Sequence, residues 1–252
     1  MAVKDNLLVA GGFKGELICK YLDQADVSLC SKTTEHEEIM NSVQIYSSSS
    51  GASQIMSSSN DCIVRVFDVS ERFACIRCVS FLCSVNHTSL SPDNKLLVVA
   101  GDNDESLLLD SETGIIVSSL KGHLDDSFAS AWHPDGIVFA TGNQDTTCRL
   151  WDVRNTSTSL EVLKGNFGAI RSIRFSADGQ FMAMAEPADF VHVYDTKQNY
   201  DKRQEIDFFG EISGISFSPD TESLFIGAAN PPFSSLLEYS RVHEYFYLDS
   251  LI

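Results

Sequence analysis

Residues 139–154 read FATGNQDTTCRLWDVR. The stretch opens on a short apolar run, passes through a polar turn ending at Asp145, and resumes as Thr147-Cys148-Arg149-Leu150-Trp151 before Asp152. Alternation of polar and apolar residues marks a strand with one buried face, and a polar turn between two such runs marks a hairpin. Working outward, Ala131-Trp132 precede the turn His133-Pro134-Asp135-Gly136, and a further run closes at Leu163-Lys164-Gly165-Asn166. The quoted residues therefore sit inside a unit of four strands joined by short turns.

The unit recurs along the chain. Ser91-Pro92-Asp93, His133-Pro134-Asp135, Ser176-Ala177-Asp178 and Ser218-Pro219-Asp220 place their aspartates 42, 43 and 42 residues apart, and a further step of 43 back from Asp93 lands on Ser50. The third strand recurs at 63–68 and 191–195, and the fourth ends at Lys121-Gly122-His123 and Phe209-Gly210-Glu211. A period of this size with four strands per repeat predicts a β-propeller, whose units bury their apolar faces against their neighbours. The expected fold is all-β, a single propeller domain over residues 1–252, with an incomplete first blade at 1–42 and successive blades at 43–84, 85–127, 128–169, 170–211 and 212–252. Residues 6–20, NLLVAGGFKGELICK, read as the second and third strands of a blade whose first strand is absent. That makes about six recognisable blades and leaves an exposed strand edge near the amino terminus, a pairing liability.

With Gly122-His123 and Trp151-Asp152 bracketing one unit, and Phe67-Asp68 and Tyr194-Asp195 at equivalent positions of two others, the chain resembles the WD-repeat family of β-propellers along nearly its whole length. The family more often closes with seven blades, so the resemblance implies an amino-terminally truncated piece of such a ring. It also implies a hydrogen-bonded tetrad of His123, Thr141, Asp145 and Trp151 inside one blade. The residue types suit that role, because a buried carboxylate needs donors and an imidazole, a hydroxyl and an indole N–H supply them. In the second blade Ser57 and Asp61 keep the polar pair, while Phe67 lacks the indole donor. More narrowly, AEPADFVHVYD and QEIDFFGEISGISFSPDTESLFIG resemble a plant and fungal group of WD-repeat proteins, a likeness that supplies no activity.

Composition narrows the function classes. A formal net charge of −17, from 35 acidic and 18 basic residues, opposes nucleic-acid binding, which depends on neutralising phosphates. No apolar segment approaches the roughly 20 residues of a membrane helix, and the start MAVKDNLLVAGG lacks the run and flanks of a signal peptide. Seven cysteines without a small-scaffold spacing read as reduced thiols in cytoplasm or nucleus. No G-x-S-x-G elbow, H-E-x-x-H or P-loop is present, so the expectation is a non-enzymatic protein without a cofactor. The serine-rich run from Tyr46 to Asn60 reads as structure, with 47–50 a hairpin loop and 57–59 a strand end. Cys75-x2-Cys78-x4-Cys83-x3-His87 has the ligand types of a zinc site. A regular strand, however, would point Cys75 and Cys78 to opposite faces.

Two docking faces follow from the resemblance. In this family the loops before each first strand and after each second strand build one face, which here carries Asp102, Asp104, Glu105, Asp125, Asp126, Glu186, Asp189 and Glu211. Clustered carboxylates focus a negative potential suited to a basic segment of a protein partner. Residues 139–154 also resemble the box with which WD-repeat substrate receptors of a cullin-type ubiquitin ligase dock onto the ligase's damaged-DNA-binding-protein adaptor through a Trp-Asp-x-Arg end. Asp152 and Arg154 would be the docking pair, on the opposite face. The primary reading is an interaction scaffold. The alternative is the ligase substrate receptor, and a zinc-binding module comes third.

Overall fold

Each strand runs antiparallel to the strand it follows, so the chain meanders outward through one sheet and then starts the next. The computed structural model describes residues 1–243 apart from positions 35, 37, 49, 202 and 231, so the end of the expected last blade lies outside the described residues. The first sheet holds β1 (Ala2–Lys4), β2 (Leu7–Gly11), β3 (Glu16–Tyr21) and β4 (Leu29–Lys32). The second holds β5 (Met40–Ser47), β6 (Ser53–Ser59), β7 (Ile63–Asp68) and β8 (Ala74–Ser80). The third holds β9 (Val85–Leu90), β10 (Leu96–Gly101), β11 (Ser106–Asp110) and β12 (Ile116–Leu120). The fourth holds β13 (Ser127–Trp132), β14 (Val138–Asn143), β15 (Thr147–Asp152) and β16 (Glu161–Lys164). The last described sheet has six strands: β17 (Ser172–Phe175), β18 (Phe181–Ala185), β19 (Ala188–Asp195), β20 (Arg203–Phe217), β21 (Ser223–Asn230) and β22 (Phe233–Ser240).

The arrangement is that of successive propeller blades, with the first strands β5, β9, β13 and β17 meeting one another along the inner side. Of five apolar clusters among the described residues, four fill the gaps between consecutive sheets and the fifth lies within the last sheet. Leu7, Val9 and Leu17 meet Ile55 and Phe67, and Met56 and Val64 meet Val85 and Leu97. Val98 and Leu108 meet Phe139 and Trp151, and Leu150 and Cys148 meet Ile173 and Met182. Ala183 and Val191 meet Ile215 and Ile226. The last sheet is one continuous ladder, because β20 pairs with β19 through its first half and with β21 through its second.

The repeated turn has one construction. Asp93, Asp178 and Asp220 each accept a hydrogen bond from the serine two residues before and from the backbone N–H two residues after. The next position is left-handed every time: Asn94 at φ 60°, Gly136 at 71°, Gly179 at 69° and Thr221 at 66°. Glycine and asparagine adopt that region readily, and a β-branched threonine does not.

The first unit departs from the expectation. Its first strand is present as β1, whose three residues pair with Leu7, Leu8 and Val9 across the turn Asp5-Asn6, with Asp5 at φ 51°. Three residues are too few to display an alternating pattern, which is why the sequence read as lacking the strand. In the serine-rich run, β5 ends at Ser47 and β6 runs through Ser59, while position 49 lies outside the described residues.

Candidate functional site

Thr141 on β14, Trp151 on β15, Asp145 in the turn between them and His123 in the connection after β12 form one chain of hydrogen bonds. Trp151 Nε1–H donates to Thr141 Oγ1 at 2.9 Å, and Thr141 Oγ1 lies 2.9 Å from His123 Nε2. His123 Nδ1 lies 3.1 Å from Asp145 Oδ2, which also accepts the Leu124 N–H. A single tautomer satisfies every link: Nδ1–H donates to the carboxylate, and Nε2 accepts the threonine proton. Burial pushes the His123 imidazole below its ordinary value, and the bond to Asp145 offsets this only in part. Burial alone would raise the Asp145 carboxyl, but donors from the Thr147 side chain and backbone and from His123 hold it below the ordinary range.

Arg154 lies in the turn after β15. Its guanidinium closes on Asp152, with Nε 2.9 Å from Oδ1 and Nη2 2.5 Å from Oδ2, while the Arg154 backbone N–H donates to Oδ1 at 2.8 Å. The bonds from Arg154 lower Asp152 to about 2. The arginine side chain is 72% exposed, so its outer edge faces solvent although its fork already holds a carboxylate. Being between a third and a fourth strand, this turn lies at the end of the sheet opposite the turns that follow second strands.

At that other end, Asp102 and Asp125 are exposed and Asp126 is half-buried. Burial comes first and the charges of Asp102 and Asp125 second in raising the Asp126 carboxyl, which places these three in one field. Asp102 accepts from Asn86 at 2.8 Å, Glu105 pairs with Lys121 at 3.3 Å, and Asp189 accepts the Gly210 N–H at 3.0 Å. Asp104 and Glu211 are exposed.

Glu186 does not stand with them. It is buried, taking the backbone N–H groups of Asn166, Phe167 and Gly168 and lying 2.8 Å from His192 Nε2. The misplacement has a physical cause: glutamate after a second strand reads as a loop acid, yet its extra methylene lets it reach back under the preceding loop.

The cysteine-histidine pattern also resolves differently. His87 lies on β9 with Nδ1 2.9 Å from Ser130 Oγ, and enclosure, then the nearby Arg174 charge and the Met1 amino group, push its pKa down to about 3. Among the described residues no group of three or more His, Cys, Asp or Glu is placed to hold a metal ion, so the four candidate zinc ligands are not gathered. Cys75 and Cys78 nevertheless do not point apart. A bulge sets Cys75 opposite Phe67 and Cys78 opposite Arg65, on one face, with their sulfurs 3.5 Å apart.

Two polar knots escaped the sequence reading. Ser57 Oγ, which would receive the missing indole donor, is buried without a partner, and Asp61 pairs with Arg65 at 2.6 Å, so an arginine on the third strand supplies the donor that His123 supplies to Asp145. The Glu186–His192 pair does the same for a unit whose Gly165-Asn166 lacks the histidine. A polar residue at an otherwise apolar strand position was the available signal in both.

Residues 114–152 match the family described as "WD domain, G-beta repeat", and residues 168–207 match "Uncharacterised protein domain (DUF2415)". The chain is 23% identical over 233 residues to pre-mRNA-processing factor 19 homolog 2 of Arabidopsis thaliana, covering 89% of this chain and 42% of that protein. It is 27% identical over 115 residues to DDB1- and CUL4-associated factor 10 of Homo sapiens, covering 46% of this chain and 21% of that protein. It is 32% identical over 85 residues to serine-threonine kinase receptor-associated protein of Gallus gallus, covering 34% of this chain and 24% of that protein. The chain thus spans less than half the length of each of these relatives.

Proposed function

Because the chain belongs to the WD-repeat family, we propose that it is a non-enzymatic protein-interaction scaffold whose acidic end receives a basic segment of a partner. The whole of residues 1–252 is read as one propeller domain, the second half of β20 with β21 and β22 beginning a sixth unit of a larger ring. One observation carries the reading of the site: Asp126 is raised first by burial and then by the charges of Asp102 and Asp125, so the three carboxylates stand close enough to act on one another. A cationic side chain entering that field relieves the repulsion, which favours association and speeds encounter. Seven free cysteines support a reducing compartment, cytoplasm or nucleus.

The test is fluorescence anisotropy with a lysine- and arginine-rich peptide. Binding should weaken with added salt, and the combined change of Asp102, Asp125 and Asp126 to asparagine should weaken it about tenfold or more, the loss of some 1.4 kcal/mol. Affinity indifferent to both would refute the acidic-end reading.

A second reading, substrate receptor of a cullin-type ubiquitin ligase, is favoured by the likeness to DDB1- and CUL4-associated factor 10 together with the exposed Arg154 at the opposite end. Arg154→Ala should abolish capture of the ligase adaptor while leaving the thermal transition nearly unchanged, because the side chain is exposed. Arg154→Lys should weaken capture as well, since an ammonium cannot reproduce the planar fork. Arg149 is the comparator: its Nη1 donates to Ser159 Oγ at 3.1 Å and its Nε is buried, so its loss should disturb packing and leave capture intact. Full capture by Arg154→Ala would end the receptor reading.

A further inference from the structure

We propose that Cys75 and Cys78 form a reversible dithiol–disulfide couple, a modification site on the outer edge of the second unit that takes low-molecular-weight disulfides of the glutathione class as its oxidant. Three observations meet there. The sulfurs lie 3.5 Å apart and both residues are exposed on β8, so a reagent reaches them. The bulge between Val66 and Phe67 leaves Ile76 as the extra residue, and that turns a pair three apart onto one face. Arg65, directly opposite Cys78, keeps a guanidinium nitrogen, Nη1, buried and without a partner while Nη2 holds Asp61. Burial and the neighbouring thiol raise the Cys75 pKa, and the positive charge of Arg65 offsets this only in part, so exchange begins from a small thiolate fraction.

The chemistry is thiol–disulfide exchange. One cysteine loses its proton, and its thiolate attacks a sulfur of oxidised glutathione, forming a mixed disulfide and releasing one glutathione thiolate. The second cysteine, also deprotonated, attacks the protein sulfur of that mixed disulfide and displaces the second glutathione. Both cysteine sulfurs are oxidised, the glutathione disulfide is reduced to two thiols, and the two protons lost from the protein end on them. The second step is favoured because the attacking sulfur is already in place. Arg77, between the two cysteines, donates Nη1–H to the Glu112 carbonyl of the third unit at 2.6 Å, so the couple sits at a seam between blades.

The experiment treats the full chain with a defined ratio of reduced to oxidised glutathione, blocks remaining thiols, and digests with trypsin. Cleavage after Arg77 separates the two cysteines, so a Cys75–Cys78 bond is read as the peptide 73–77 covalently joined to the peptide 78–95, with fragment ions placing the link at Cys78 and the blocking group on Cys83. The joined peptide is expected as the main oxidised product and should vanish with dithiothreitol. Cys75→Ser should leave a persistent glutathione adduct on Cys78, and Cys78→Ser one on Cys75, with far-ultraviolet circular dichroism showing both variants folded. Stable adducts on both cysteines of the unmodified chain, no reaction at either, or joining of the second peptide through Cys83 to Cys62 in place of Cys75 would overturn the proposal.

Discussion

Trp151 and Asp145 close the two ends of one donor chain, and each end has its own measurable consequence. Trp151→Phe removes only the indole N–H that Thr141 receives and should cost about 0.5–1.5 kcal/mol, the value of one neutral hydrogen bond. Asp145→Asn should act more strongly and with a defined pH dependence. Asp145 is held below its ordinary pKa, so its stabilisation is fully present above the unfolded value of roughly 4 and is lost as pH falls through the lower folded value. His123 is also lowered, so the unfolded chain takes up its proton first and stability declines from roughly pH 6.5 downward. Urea denaturation across pH should therefore show the Asp145→Asn chain weaker near neutrality and converging on the unmodified chain in acid. A constant gap at every pH would count against the carboxylate as the source. The tetrad positions came from the sequence through a resemblance that a lone histidine and aspartate could not have supplied. Glu186 went the other way, because burial of a loop glutamate depends on three backbone N–H groups that no sequence pattern displays.

At the scale of elements, the turns were the most legible feature, since Asp93, Asp135, Asp178 and Asp220 mark the same corner at a constant spacing. Local chemistry writes such corners directly into the chain: a serine or histidine, an aspartate and a left-handed residue suffice. One corner uses the wrong residue for that conformation. Thr221 at φ 66° carries a β-branched side chain where Asn94 and two glycines serve elsewhere, and its hydroxyl contacts are long, at 3.4 and 3.5 Å. Thr221→Asn should raise the denaturation midpoint, by about 1 kcal/mol of released strain, and an unchanged or lowered midpoint would show the contacts outweighing the strain. Strands were harder to read where they were short or irregular. β1 is three residues long, and the bulge in β8 reverses the facing of Cys78 relative to Cys75, a register change that period-two reasoning cannot see.

Across the whole molecule, the acidic balance was visible in composition, but which carboxylates share a field depends on how neighbouring units abut. Asp102 and Asp126 are 24 positions apart in the chain and act on one another only because the turn after β10 and the connection from β12 to β13 reach the same end of the fold. The packing of sheet against sheet explains why the core has no single centre: apolar residues fill gaps between sheets, each gap served by two units. β20 breaks this modularity. Elsewhere a loop separates one unit from the next, so the repeat boundary is also a place where the chain can give. Within the last described sheet the backbone runs unbroken from Arg203 to Phe217, bonded on one side to β19 and on the other to β21. Under tension such a strand behaves as a tie rod: load entering from the carboxyl-terminal side shears two ladders at once instead of opening a hinge. Yielding there releases everything from Ser172 to Ser240 together, roughly 230 Å of extended chain.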